Sequence, residues 1–177
     1  MIGGQDRVAD DEELYRRVRE NVPGHTCFKI EGGRVVFLNS AFNDVSNRPS
    51  VDRAKLRQFD PHRTRLTQED GIVSLQTTAI RQLGPIPRFD NHQKPITGFV
   101  VDVLPDPVLG NCAHSVVVTE PLLKGKGAVR RLKEGLVRLA NEAGWRIEPG
   151  TSMPRRTLLS VMRDYIQCVL GHFQRLR

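Results

Sequence analysis

Residues 96–121, ITGFVVDVLPDPVLGNCAHSVVVTEP, contain two runs rich in β-branched residues on either side of a turn-rich octet. The runs are ITGFVVDV and CAHSVVVT, and the octet LPDPVLGN holds two prolines, a glycine and an asparagine. Strand-forming runs separated by such residues are typical of an antiparallel hairpin or of two adjacent strands. The sequence therefore predicts the centre of a sheet here.

Two further strands are predicted nearer the N-terminus, in the segments HTCFKI and RVVFLNS. They span residues 25–30 and 34–39 and are joined by Glu31, Gly32 and Gly33. The two glycines permit the positive φ angles that a tight hairpin needs. We therefore expect a second hairpin in this part of the chain.

Helices are predicted for most of the remaining chain. Asp10 and Asp11 can cap a first helix, and Ser50 stands as an N-cap before VDRAKLRQF. Thr67 and Asp70 have capping-box spacing ahead of apolar residues that recur every three or four positions as far as residue 83. Residues 126–143 carry one apolar stripe and end before Gly144, and residues 155–177 form a last amphipathic helix.

This order of elements predicts an α+β protein with a small antiparallel or mixed sheet of about four strands, packed by about five helices. Residues 1–9 lack apolar periodicity and are expected to be disordered. Residues 10–177 are expected to form one α+β domain, whose C-terminal third, 124–177, is helical and basic. The standard glycine-rich nucleotide-binding loops are absent from the sequence.

The composition, 38% hydrophobic and 27% charged, is ordinary for a soluble protein. No apolar run approaches the ~18 residues of a membrane span, so no membrane partner is expected. The N-terminus lacks the basic start and apolar core of a secretion signal. Three cysteines far apart in sequence do not suggest a disulfide framework. A reducing cytoplasm is therefore the predicted location.

Positive charge is concentrated at the C-terminal end. Residues 1–123 hold 15 Lys and Arg against 16 Asp and Glu, whereas residues 124–177 hold 12 against 4. The net charge of +7 therefore belongs to the last third of the chain. Such asymmetry indicates an anionic partner.

The leading hypothesis is a cytoplasmic nucleic-acid-associated binding or accessory protein, a component of a larger assembly that contacts DNA or RNA through this basic surface. Neutralised phosphates release counterions, so such a surface binds nucleic acid with little sequence preference. Aromatic side chains are scarce in this region, which favours contact with the backbone over stacking on bases. The predicted contact residues are Lys124, Lys126, Arg130, Arg131, Lys133, Arg138, Arg155 and Arg156.

The sequence leaves open whether the protein is an enzyme. The first alternative is a hydrolase of phosphodiesters or nucleotides that uses His25 and His114 as general acid and base. Histidine exchanges protons near neutral pH, and arginine offers a planar fork to phosphate oxygens. Arg48 and Arg53 are the arginines predicted to hold the phosphate.

A zinc site is a further alternative, although no cofactor is predicted in the leading hypothesis. His25 with Cys27, and Cys112 with His114, form two pairs that supply the ligands of a Cys₂His₂ site. Residues two apart on a strand share a face, so each pair is able to chelate. However, the neighbours of the two pairs place one pair toward the core and the other toward solvent. Buried structural cysteines and a hydrogen-bonded histidine are the simpler interpretation.

The last alternative is a protein-interaction module of a multi-protein complex. In that case the basic surface meets an acidic protein partner, or the apolar side of the last helix docks on another chain. Salt-dependent retention of DNA or RNA distinguishes this role from nucleic-acid binding.

Overall fold

An antiparallel sheet of seven strands is the main element of the structure. The computed structural model describes residues 7–19, 21–22, 25–44, 47–89, 92–123 and 126–154, and for residues 21, 22 and 25 the backbone only. The strands are β1 Glu13–Arg19, β2 Asn21–Val22, β3 His25–Thr26, β4 Phe28–Glu31, β5 Arg34–Phe37, β6 Ser50–Arg53, β7 Asp70–Gln76, β8 Ile86–Phe89, β9 Pro95–Pro105, β10 His114–Glu120 and β11 Trp145–Ile147.

The spatial order of the main sheet is β11-β7-β1-β6-β10-β9-β8, and every neighbouring pair is antiparallel. The short pairs β2-β3 and β4-β5 lie outside this sheet. The described residues contain two α-helices, α1 Thr77–Arg81 and α2 Lys126–Ala143. Single 3-10 turns occupy Asn39–Phe42, Lys55–Arg57 and Pro61–Thr64.

The hairpin predicted from residues 96–121 is confirmed as β9 and β10. These strands pair in antiparallel register, with Val117 opposite Val103 and Thr119 opposite Val101. The second predicted hairpin is also confirmed, as β4 and β5, and Gly32 and Gly33 adopt the positive φ angles of 57° and 77° expected of its turn. Both predictions rested on strands joined by short, turn-rich connections.

The predicted fold class is wrong, because three segments expected to be helices form central strands or begin with them. The first predicted helix is β1, and the second begins as β6 before a 3-10 turn. The third is mostly β7, followed by the five-residue α1. The described part of the chain is therefore mostly sheet, with more strands and fewer helices than predicted. Helix α2 agrees with the predicted span and ends at Ala143, directly before Gly144, which has φ 69°. The last predicted helix lies outside the described residues.

Buried arginines explain why β1 and β6 did not look like strands. Arg16 points into the core between Leu14 and Val18, where its Nε and Nη2 donate to the carbonyl of Ala41. Arg53 is likewise buried, and its guanidinium donates two hydrogen bonds of 2.8 Å to Glu12. In a strand, every second side chain faces the core. A charged residue at one of these core-facing positions interrupts the alternation of apolar and polar residues by which strands are recognised.

The two faces of the sheet differ in character. On one face, α2 packs through Leu132, Leu136 and Ala140 against the main apolar core. Val8 is fully buried in that core, within the stretch 1–9 that was predicted to be disordered. The opposite face carries a smaller apolar cluster, Tyr15, Ala54, Ile72 and Ile147. Polar side chains occupy that face beside this cluster, on the central strands β1, β6 and β10.

Candidate functional site

A groove lined by basic and amide side chains runs along the N-terminal half of α2. Lys126, Arg130 and Lys133 stand four and three residues apart, so they form one stripe of the helix. The groove has a volume of about 470 Å³, and Leu123 and Val129 supply apolar contacts. The polar lining residues, which define what we call the α2 groove, are Asn39, Asn43, Asn47, Lys126, Arg130 and Lys133.

The cations of the α2 groove have neutral or exposed partners within the chain. Lys133 Nζ donates to Asn43 Oδ1 at 2.6 Å. Arg130 pairs with Glu134 at 2.7 Å one turn later, and both side chains are largely exposed. This hydrogen bond raises the pKa of the Arg130 guanidinium. Because exposed ion pairs contribute little and are screened by salt, a phosphate is able to displace Glu134. No carboxylate is among the described residues that line the groove.

Two of the other predicted nucleic-acid contacts lie outside the α2 groove, and three are not described. Arg131 donates to the carbonyl of Pro87 on β8, and Arg138 pairs with Glu142 in the last turns of α2. Lys124, Arg155 and Arg156 lie outside the described residues. The described structure thus brings together three of the eight predicted cations.

A second polar site lies on the opposite face of the sheet. Tyr15 on β1 and His114 on β10 both stand directly opposite Asp52 on β6. Side chains opposite each other in antiparallel strands share a face, so these three form one row across the sheet centre. They open into a cavity of about 150 Å³. The polar lining residues that define what we call the β6 pocket are Tyr15, Arg17, Ser50, Asp52, Arg57, Thr64, Asn111 and His114.

The buried carboxylate of Asp52 organises this pocket. Arg57 donates to Asp52 Oδ2 from Nε at 2.8 Å and from Nη2 at 2.5 Å. Asn111 Nδ2 donates to the other oxygen, Oδ1, at 2.9 Å. Both oxygens of Asp52 are therefore satisfied, and the carboxylate fixes the position of the Arg57 guanidinium.

One ring nitrogen of His114, a residue that lines the pocket, is held by a hydrogen bond. Its Nδ1 lies 2.6 Å from the carbonyl oxygen of Asp106, and a carbonyl only accepts, so Nδ1 is the donor. The carboxylate of Asp106 lies 3.7 Å from the same nitrogen. This arrangement fixes the orientation of the ring and leaves Nε2 without a partner among the described residues.

The predicted pairing of His25 with His114 cannot be compared with the structure, because the side chain of His25 is outside the described atoms. The backbone of His25 lies in β3. Arg53, predicted to hold a phosphate, points into the core on the opposite face from His114 and binds Glu12. Arg48 is half-buried in the segment that precedes β6 and does not line the β6 pocket.

The two cysteines predicted as zinc ligands, Cys27 and Cys112, are not placed together as a metal site in the described structure. Cys27 is a buried free thiol of the core, and burial raises its pKa. Cys112 is disulfide-bonded, which the odd number of cysteines did not lead us to expect. Among the described residues, no group of three or more His, Cys, Asp or Glu side chains is placed to hold a metal ion.

Sequence reasoning identified His114 and the α2 cations but missed most of the β6 pocket. Tyr15, Asp52 and Arg57 were assigned to helices, so their alignment with His114 across three strands was not foreseen. The spacing of Lys126, Arg130 and Lys133, by contrast, was a readable signal of a common stripe. The asparagines opposite that stripe are far away in sequence and carried no such signal.

Comparison of the chain with protein families, with curated proteins and with solved structures finds no significant match. In the described part of the chain, no helix is both long enough and apolar enough to cross a membrane.

Proposed function

We propose that this protein binds the phosphate backbone of nucleic acid through the α2 groove. The observation that carries the proposal is the composition of the groove, three cationic and three amide side chains with no described carboxylate in its lining. Lys and Arg neutralise phosphates, and asparagine side chains donate to phosphate and sugar oxygens. This is the typical residue set of a sequence-independent contact.

The position of the groove adds a second contribution. It begins at Lys126, the first residue of an 18-residue helix. The partial positive charge of a helix N-terminus favours a phosphate there, in addition to the side-chain charges. Since Val129 and Leu123 line the floor and aromatic residues are absent from the described lining, the backbone is the part of the nucleic acid that fits.

The experiment measures binding of labelled single-stranded and double-stranded DNA and RNA of mixed sequence. The test variant replaces Lys126, Arg130 and Lys133 together by Gln. The matched control replaces three exposed cations outside the groove, Arg34, Lys55 and Arg138, by Gln. Both variants lose the same net charge, so a general electrostatic effect changes both equally.

We expect the groove variant to lose at least about tenfold in affinity and the control less than about threefold. Equal losses in the two variants would contradict a groove-specific contact. Failure of the wild type to bind any of the nucleic acids at low salt would leave an acidic protein as the partner of the basic surface.

A further inference from the structure

A buried hydroxyl group without a partner among the described residues lies beside the β6 pocket. Thr64 is 7% exposed, and its Oγ1 has no hydrogen-bond partner among the described residues. The same residue lines the cavity that contains His114. Burying a hydroxyl without a partner is costly, so native structures leave few such groups unless a water or a ligand satisfies them.

Two guanidinium groups supply positive charge to the same cavity. Arg57 is anchored to Asp52 through Nε and Nη2, and its Nη1 has no partner among the described residues. Arg17 lies 3.9 Å from the carboxylate of Asp70, which Arg19 also approaches at 3.5 Å. The residues that line the pocket include two arginines, Arg17 and Arg57, and one carboxylate, Asp52, so the lining itself carries an excess of positive charge.

The environment of Arg17 indicates that this charge is incompletely compensated. Burial lowers the pKa of Arg17, because desolvation outweighs the attraction of Asp70. A bound anion would add a second attraction to the Arg17 guanidinium, so that attraction would outweigh desolvation. His114 adds a further polar group, since its unpartnered Nε2 is able to accept from a protonated phosphate oxygen.

The size of the cavity favours a small ligand group. Its 150 Å³ is below the ~300–1,000 Å³ typical of pockets that hold whole small-molecule ligands, so a group of the size of a phosphate matches it better than a whole nucleotide. Planar guanidinium donors, a hydroxyl donor and an imidazole are the groups that proteins use for tetrahedral oxyanions.

We propose that the β6 pocket binds a single phosphate group, held by Arg17, Arg57 Nη1, the Thr64 hydroxyl and His114 Nε2. The phosphate is either free or part of a small phosphoester, or it belongs to a nucleic-acid backbone. A third depression, whose lining includes the carboxylate of Asp44, shares Arg17 and Ser50 with the β6 pocket and Asn43 with the α2 groove.

The test compares the thermal stability of the full chain in inorganic phosphate and in chloride at equal ionic strength. The diagnostic variants are Thr64→Val, which removes the hydroxyl at nearly constant volume, and Arg17→Gln. Thr77→Val is the matched control, because the Thr77 hydroxyl is buried but donates to the carbonyl of Glu12 at 2.8 Å.

Phosphate should raise the Tm of the wild type by about 3 °C or more at saturating concentration. Thr64→Val should lose at least two thirds of this shift while its Tm in chloride stays equal or rises, since no native hydrogen bond is removed. Arg17→Gln should also lose the shift. Thr77→Val should have a lower Tm in chloride and keep the full shift.

No phosphate-specific shift in the wild type, or a full shift in both Thr64→Val and Arg17→Gln, would overturn the proposal. Nucleic-acid affinity of the same two variants distinguishes the sources of the phosphate. A reduced affinity assigns the pocket to a backbone phosphate, and an unchanged affinity assigns it to a free phosphate or phosphoester. The loss of the shift in Thr64→Val and Arg17→Gln does not depend on the α2 groove, which neither residue lines, so the two proposals fail separately.

Discussion

His114 on β10 stands directly opposite Asp52 on β6, on the sheet face that α2 does not cover. Both strands are internal to the seven-stranded sheet, and each is paired on both sides. Polar groups on internal strands are held more precisely than groups on loops, because the ladder fixes their backbones. The β6 pocket is therefore preorganised by the centre of the fold, whereas the α2 groove depends on a surface helix.

The buried pair of Arg53 and Glu12 should stabilise the fold and not take part in chemistry. Replacing Arg53 by Met leaves the carboxylate of Glu12 buried without its main partner, which should cost about 3–5 kcal/mol in the free energy of unfolding. Urea denaturation measures this cost. Arg138→Gln, which breaks an exposed pair, should cost less than about 0.5 kcal/mol. Similar costs in the two variants would refute the structural role of Arg53.

Tyr15 should ionise late. Burial, with a smaller contribution from Glu13, raises its pKa to about 12 from a usual value near 10. The neutral phenol is thus favoured in the folded state, so its contribution to stability is complete below about pH 10 and is lost as the pH rises toward 12. The loss amounts to about 3 kcal/mol at most.

Denaturation at a series of alkaline pH values checks this linkage. We expect the stability of Tyr15→Phe to fall less steeply than that of the wild type between about pH 10 and pH 12. Ultraviolet absorbance in a Tyr165→Phe background follows the ionisation of Tyr15 alone. A transition of the folded protein near pH 10 would show that Tyr15 is not shielded as described.

Gly71 should not tolerate a side chain. A Cβ at this position on β7 would come within 2.8 Å of the Trp145 ring and 2.9 Å of Pro149 Cδ. Gly71→Ala should therefore destabilise the protein by about 1–3 kcal/mol. Gly127→Ala, in the first turn of α2, meets no atom within 4 Å and should stabilise it by up to about 1 kcal/mol. Thermal denaturation of both variants makes the comparison, and a neutral Gly71→Ala would argue against the packing of β11 on β7.

Glu134 should compete with nucleic acid for Arg130. Glu134→Gln removes the carboxylate that now binds this arginine at the edge of the α2 groove, so the affinity for nucleic acid should rise about two- to fivefold. Glu142→Gln releases Arg138, which is outside the groove, and should have a smaller effect. Titration of labelled oligonucleotide at low salt compares the two. A larger gain in Glu142→Gln would move the contact to the other end of α2.

The sequence was sufficient for those elements whose pattern is local. The β9-β10 and β4-β5 hairpins have turn residues between adjacent runs, and α2 has an apolar stripe that ends before Gly144. It was misleading at Asp70, whose spacing from Thr67 resembles a capping box. In the structure Asp70 accepts hydrogen bonds from the backbone of Leu66 and Thr67 in the turn before β7.

Of the two candidate sites, the cations of the α2 groove were predictable from the sequence and most of the β6 pocket was not. The cations of the α2 groove lie on one helix, so their common direction follows from their spacing. The β6 pocket joins β1, β6 and β10 through pairings between strands distant in sequence. With β1 and β6 assigned to helices, no local pattern was able to place Tyr15 and Asp52 beside His114.

The salt dependence of nucleic-acid binding tests the central claim most directly. If the α2 groove holds a phosphate backbone, log Kd plotted against log salt should be linear, and the triple groove variant should lose about two to three units of slope. The variant with Arg34, Lys55 and Arg138 replaced should keep the slope of the wild type within about one unit. A slope that is unchanged in the groove variant would contradict the account.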